Sequence, residues 1–201
     1  MIHKPAETSQ PIHSLIRDRW SPRSFSEKPI PQEDLIALLE AARWAASGRN
    51  IQPWRFIVAT SDDADAHAKL MSGILGGNQA WAYKAPVLMV VLAETVSEEG
   101  QPNGSAEYDT GLAVSQLTLE AMNRGIYLHQ MGGIDRDKLS DIYNVPDNFS
   151  VRCCLAIGYQ GDDLDHLPDW AKEREIGNRE RKGLDEITFA NTFGETASFV
   201  S

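Results

Sequence analysis

The run Pro86-Val87-Leu88-Met89-Val90-Val91-Leu92-Ala93 constrains this chain more than any other stretch. It carries no polar side chain, which is the pattern of a strand buried on both faces. Trp54 to Thr60 and Val151 to Tyr159 are further apolar strands, and Ile126 to Met131 is a shorter one. Helical patterns lie between them. Ile12, Leu15, Ile16 and Arg19 have helical spacing, and Ser21-Pro22 ends that helix because a residue before proline avoids the helical region. Pro31 suits the first position of the next helix, with Glu33 and Asp34 in its first turn. Leu35, Leu38, Leu39, Ala42 and Ala46 form its buried stripe, and Gly48 stops it. Asp62 to Leu70 and Asp135 to Tyr143 are shorter helices. The longest runs from Ala106 to Arg124, with Tyr108, Gly111, Leu112, Ser115, Leu119 and Met122 on its period and Gly125 as its cap. Small residues at 110, 111 and 113 would admit a second helix or a flat ligand.

Gly73 to Asn78 reads as a flexible turn, since no Gly-Lys-Ser/Thr follows to make a phosphate loop. The stretch 97–105 reads as a surface loop. After Gly158 the patterning fails: Gly161 to Gly183 is charged and weakly periodic, and Leu184 to Phe193 is at most one short element. Strands separated by helices give an α/β protein of several strands, and 201 residues suffice for one domain with a substantial core. The polar C-terminal stretch, about 161–201, cannot form a core of its own. If ordered, it lies along this protomer or across a partner.

An apolar share of 42% is ordinary for a folded globular chain. No run of about 18 apolar residues occurs, so a bilayer span is not expected. The N-terminus lacks the apolar core of about 7 residues that a secretory signal needs. Cys153 and Cys154 are neighbours on a strand, point to opposite faces, and read as reduced core thiols of a cytoplasmic protein. With 19 basic against 29 acidic residues the net charge is −10, which repels nucleic acid and anionic lipid. The basic residues nevertheless gather in two clusters: Arg17, Arg19 and Arg23, and Lys172, Arg174, Arg179, Arg181 and Lys182. Either these serve a small anionic ligand or they are solvated faces paired with nearby acids.

Self-contained catalytic machinery is missing. No Gly-x-Ser-x-Gly elbow is present, and the five histidines keep no company with a nucleophile. No His-x-x-x-His or Cys-x-x-Cys pair offers a metal site, and no Gly-x-Gly-x-x-Gly follows a strand. His129, within a strand, reads as a packed histidine. A cofactor would have to bring the chemistry.

Four segments resemble the FMN-dependent nitroreductase family. Arg19-Trp20-Ser21-Pro22-Arg23 is similar to its Arg-x-Ser-x-Arg/Lys signature. That likeness implies Arg19 and Ser21, with Trp20 between them, at the FMN phosphate and ribityl chain, and Arg23 at the pyrimidine edge. Ser47-x-x-Asn50-x-Gln52-Pro53-Trp54 matches a motif that serves the FMN site from the other subunit, with Ala46 where proline is usual. Gln130-Met131-Gly132-Gly133 resembles the strand end that lies over one flavin face. Glycine replaces the glutamate that some members carry at position 132, leaving backbone amides near N5. Arg179-x-Arg181-Lys182 is similar to the late basic pair that closes on the phosphate, with Gly183 where proline is common. Asn78 looks like the asparagine that contacts the pyrimidine.

The resemblance implies an α+β, three-layer α/β/α sandwich with a mixed central sheet. It implies an intertwined homodimer whose C-terminal extension wraps the partner. The activity implied is ping-pong hydride transfer from NADH or NADPH through FMN to a nitroaromatic, quinone or similar small-molecule acceptor. No side chain need act as acid or base, and no metal is required. The alternatives are another reaction on the same fold, such as substrate dehydrogenation or reductive dehalogenation, and flavin binding without turnover.

Overall fold

The computed structural model describes residues 2–200. Its four strands are β1 (Trp54–Thr60), β2 (Val87–Glu94), β3 (Tyr127–Met131) and β4 (Phe149–Gly158), in the order β1-β2-β4-β3. Seven α-helices are described: α1 (Ser14–Asp18), α2 (Gln32–Arg43), α3 (Ala64–Met71), α4 (Gly76–Ala82), α5 (Ala106–Asn123), α6 (Arg136–Tyr143) and α7 (Asp169–Ile176). β2 is central, and every residue from Val87 to Ala93 is buried. Its side chains alternate between two cores. Leu88, Val90 and Leu92 meet Leu70 of α3, Trp81 of α4, Leu139 of α6 and Ala171 of α7. Val87, Met89 and Val91 meet Leu38 and Ala42 of α2 and Ala113, Leu117 and Ala121 of α5. Two helical layers on one sheet make the three-layer α+β sandwich.

Every pairing among these strands is antiparallel, so the sheet of the described residues is not the mixed one expected. β3 crosses to the edge, and β4 enters between it and β2 in the direction opposite to both, so no parallel pairing is present among the described residues. In β4 the pairing jumps from Val91–Cys153 to Leu92–Val151, leaving Arg152 as the extra residue of a bulge. The adjacent cysteines fall on opposite faces, Cys154 in one core and Cys153 against the other. Burial pushes the Cys153 thiol up to about 11 and that of Cys154 up to about 12.

Several boundaries differ from the sequence reading. α2 begins at Gln32 with Pro31 as its cap, and ends at Arg43. Arg43 and the indole N–H of Trp44 both bind Glu40, which closes the helix before Gly48 is reached. Gly76 to Asn78 opens α4 rather than a flexible turn, because burial of Trp81 and Ala82 holds that segment helical despite its glycines. On α5 the buried face is one position off the expected stripe. Ala106, Asp109, Thr110, Ala113, Val114, Leu117, Thr118 and Ala121 are inside, while Tyr108 is 73% exposed. The inner face hides three polar residues, two with hydrogen-bond partners: Asp109 accepts from Gly48 N–H and Ser105 Oγ, and Thr118 donates to Val114 O. A hydropathy pattern reads such a face as outward. α7 is a helix that the charged composition concealed.

The end of α3 approaches α6 closely at Gly73. A Cβ there would stand 2.5 Å from Leu139, which is fully buried and cannot retreat. Gly73→Ala is therefore expected to destabilise the protein by about 1–3 kcal/mol, read as a lowered urea midpoint. An unchanged midpoint would show that the contact relaxes freely.

Candidate functional site

After α1 the chain leaves the helix at Arg19 with extended backbone (φ −65°, ψ 125°). From there it runs beside the edge strand β3. The His129 ring donates from Nδ1 to Pro22 O at 2.9 Å, and Trp20 meets Tyr127 edge-on. Side chains of an extended segment alternate. Trp20, Pro22 and Ser24 turn inward and are buried, so Arg19, Ser21 and Arg23 share the outward side. The Arg-x-Ser-x-Arg spacing thus becomes one face of cation and hydroxyl, with Arg19 NH1 donating to Ser21 Oγ at 3.2 Å.

The C-terminal segment supplies the opposite wall. Glu175, at the end of α7, has no exposed surface, and its carboxylate accepts the N–H groups of Arg23 (2.9 Å) and Ser24 (3.0 Å). Burial raises its pKa, opposed by those two hydrogen bonds and by the charges of Arg23 and Lys4. Beyond Gly177 the chain returns, and Arg179 NH1 donates to Lys4 O and Arg17 O, each at 2.7 Å. The result is a cleft of about 500 Å3 whose walls include Lys4, Arg19, Ser21, Arg23, Arg174, Arg179 and Arg181. Among the described residues, none of Arg19, Arg23, Arg179 and Arg181 forms an ion pair within 4.0 Å. Burial lowers the Arg19 pKa first, and the like charges of Arg179 and Arg181 lower it further. A half-buried guanidinium beside two others, unpaired although Glu173 and Glu180 also line the cleft, is a site short of an anion. Arg17 stands apart, paired with Asp18 at 2.7 Å.

Asn78, Gln130, Met131, Gly132 and Gly133 form a second group. Asn78 Nδ2 donates to Gly133 O at 3.2 Å, and Leu75 N–H donates to the same carbonyl. Gly133 allows this approach, since a Cβ there would lie 2.9 Å from Asn78 Nδ2, while the space over Gly132 is open. Met131 is buried in the core; Gln130 is exposed.

Ser47, Asn50 and Gln52 form a third group, apart from the basic cleft within this protomer. Their turn is held by Gly48 N–H to Asp109, Gln52 N–H to Ser47 Oγ (3.1 Å) and Gln52 Nε2 to Asn50 O (3.1 Å). Arg49, Asn50 and Gln52 all have positive φ (53°, 57° and 55°), a cost that persists only where surrounding structure imposes it. The turn borders a second cavity of about 590 Å3 shared with the 97–105 loop.

Sequence reasoning missed Lys4, Glu175 and Asp109. A signal for Glu175 was available: Leu167, Ala171 and Glu175 recur at four-residue spacing, and all three are buried. An acid at the third position of an apolar stripe looks like a break in the pattern rather than its anchor.

Comparison with known proteins shows the family. The chain belongs to the nitroreductase family, whose model matches residues 16–75 and 65–159. A solved structure of an oxidoreductase containing FMN is 36% identical, with a TM-score of 0.88 over 94% of this chain and 96% of that one. The major NAD(P)H-flavin oxidoreductase of Aliivibrio fischeri is 26% identical over 83% of this chain and 95% of its own length. The iodotyrosine deiodinase of Thermotoga neapolitana is 23% identical over 78% and 92%.

His129 gives the site a measurable pH signature. Desolvation between Pro22 and the Trp81 ring lowers its pKa from 6.5 to about 4, with Arg23 and Arg19 adding to the effect. The unfolded chain takes up this proton below pH 6.5 and the folded chain only near 4. Stability from the neutral ring is therefore complete above pH 6.5 and falls as the solution is acidified to about 4, by about 3 kcal/mol in all. Urea melts across that window should show the slope, and His129→Gln should flatten it. An equal slope in the variant would place its origin elsewhere.

Proposed function

We propose that this protein is an FMN-dependent NAD(P)H oxidoreductase that reduces a nitroaromatic, quinone or similar electron-poor acceptor. The observation that carries the reading is the basic cleft. An acidic protein of net charge −10 holds Arg19, Arg179 and Arg181 together without an ion pair among its described residues, and a phosphate monoester is the anion that suits three guanidinium groups and a serine hydroxyl. Bound FMN would supply hydride acceptance and donation, which the side chains alone do not offer.

The chain's own contributions follow from the three groups. Arg19, Ser21, Arg179 and Arg181 grip the phosphate, with Trp20 as the packed floor behind them. Arg23, fixed through its backbone by Glu175, offers positive charge to the electron-rich edge of the ring system. Asn78 is oriented by Gly133 O and keeps its amide oxygen free for the ligand. Neither Gly132 nor Gly133 donates its N–H to a backbone carbonyl of the described chain, so both are available as donors, and the open space over Gly132 leaves a face accessible to acceptor. Gln130 lines the exposed edge of that face.

The third group completes the site from a second copy. Ser47, Asn50 and Gln52 sit on a strained turn away from the cleft, so a homodimer unites them with it. Apolar surface left uncovered in one chain supports this: Phe193 is 91% exposed, Phe199 82%, and Tyr108 projects from the outer face of α5 beside Gly111 and Ser115. Within the 161–201 extension, residues to Arg179 are anchored on their own protomer, so the part beyond them is the part that would reach the partner. The paired thiols, high in pKa and unbridged, suit the cytoplasm. The likeness to a deiodinase favours, as a second reading, a flavin enzyme of another reaction.

The first experiment is an absorption spectrum of the purified protein with anaerobic NADPH and then NADH. A flavin band that bleaches supports reductase chemistry; one that stays yellow favours the second reading; a colourless protein that takes up no FMN overturns both. Arg19→Ala with Arg181→Ala should weaken FMN binding by several kcal/mol, as two charge-assisted contacts of roughly 1.5–3 kcal/mol each are lost. A double variant as yellow as the wild type would refute the phosphate assignment.

A further inference from the structure

The N-terminal arm ends up inside the basic cleft, where no motif places it. Lys4 lines the cleft with Arg19, Trp20, Arg179 and Arg181. Its ammonium donates to Glu175 O at 2.9 Å and Arg174 O at 3.2 Å, the carbonyls closing α7, and lies 4.7 Å over the Trp20 ring. An ammonium has three N–H groups; two are committed, and one is left. Burial lowers the Lys4 pKa, Glu175 raises it, and Arg23 and Arg179 lower it again, so an anion in the cleft would relieve a real electrostatic cost. The arm is tied down as well. Arg179 NH1 holds the carbonyl of Lys4 together with that of Arg17, and Ala6 N–H donates to Arg17 O at 2.8 Å.

We propose that Lys4 is a phosphate-binding residue of the cofactor site, delivered by the N-terminal arm. Arg179 then has two tasks: one nitrogen staples the arm across the cleft, and the rest of its guanidinium faces the anion. A bound phosphate would then be held by the N-terminal arm and by the segment after α7, and docking of the arm and binding of the anion would reinforce each other. This inference rests on the FMN reading above and extends it to a residue some 15 positions before the signature. A purely structural Lys4 would do no more than cap α7.

The test compares FMN with riboflavin, which lacks the phosphate, on the full-length apoprotein and on Lys4→Met and Lys4→Arg. Methionine keeps an apolar stem over Trp20 and removes the charge. The expected result for Lys4→Met is a dissociation constant for FMN raised about tenfold or more, an unchanged constant for riboflavin, and a shallower salt dependence of FMN binding. Lys4→Arg should recover most of the loss. Equal losses for FMN and riboflavin, or no loss for either, would overturn the proposal. If wild type binds neither flavin, the cofactor reading fails, and inorganic pyrophosphate then serves as the probe. A thermal upshift by pyrophosphate that disappears in Lys4→Met upholds Lys4 as an anion ligand, and its absence in both proteins refutes it.

Discussion

A carboxylate with no exposed surface holds the candidate site together. Glu175 accepts two backbone N–H groups from Arg23 and Ser24, and a buried acid is tolerated only where its oxygens are met by donors. Those two bonds fix α7 against the extended 19–25 segment. They also set the alternation that turns Arg19, Ser21 and Arg23 outward. The rest of the cleft follows from this tie, because α7 presents its last carbonyls to Lys4 and returns the chain so that Arg179 and Arg181 face Arg19.

The electrostatics have a single logic. The protein is acidic overall, and several of its cations outside the cleft are matched by acids: Arg17 by Asp18, Arg43 by Glu40, Arg124 by Asp34 and Glu120, Arg152 by Glu107. Such surface pairs contribute little to stability. The cleft is the exception, with several cations crowded together and only partly solvated. Like charges held close in a less polar setting raise the energy of the empty state, and that stored repulsion becomes affinity when an anion arrives.

Much of the fold was legible in the residues. The apolar run of β2 required cover on both faces, and both layers are present. The strands and most helices lie within a few residues of their patterns. The exceptions share a cause. α4 contains two glycines, α7 is highly charged, and the inner face of α5 carries Asp109, Thr110 and Thr118. In each, a tertiary contact rather than local hydropathy decides burial, and hydropathy patterns carry no information about partners distant in sequence.

The sequence by itself determined the family, the layered architecture and the residue types able to meet an anion, because these depend on periodicity and on short motifs. Tertiary structure decided which of those residues meet. It gathered Arg19, Ser21, Arg23, Arg179 and Arg181 into one cleft and set Ser47, Asn50 and Gln52 apart on another surface. It also added Lys4, which no local pattern marks, and Glu175, whose place on a four-residue stripe reads as a break in that stripe. The physical reason is that charge matching and hydrogen-bond satisfaction act between groups close in space, here more than 150 residues apart along the chain.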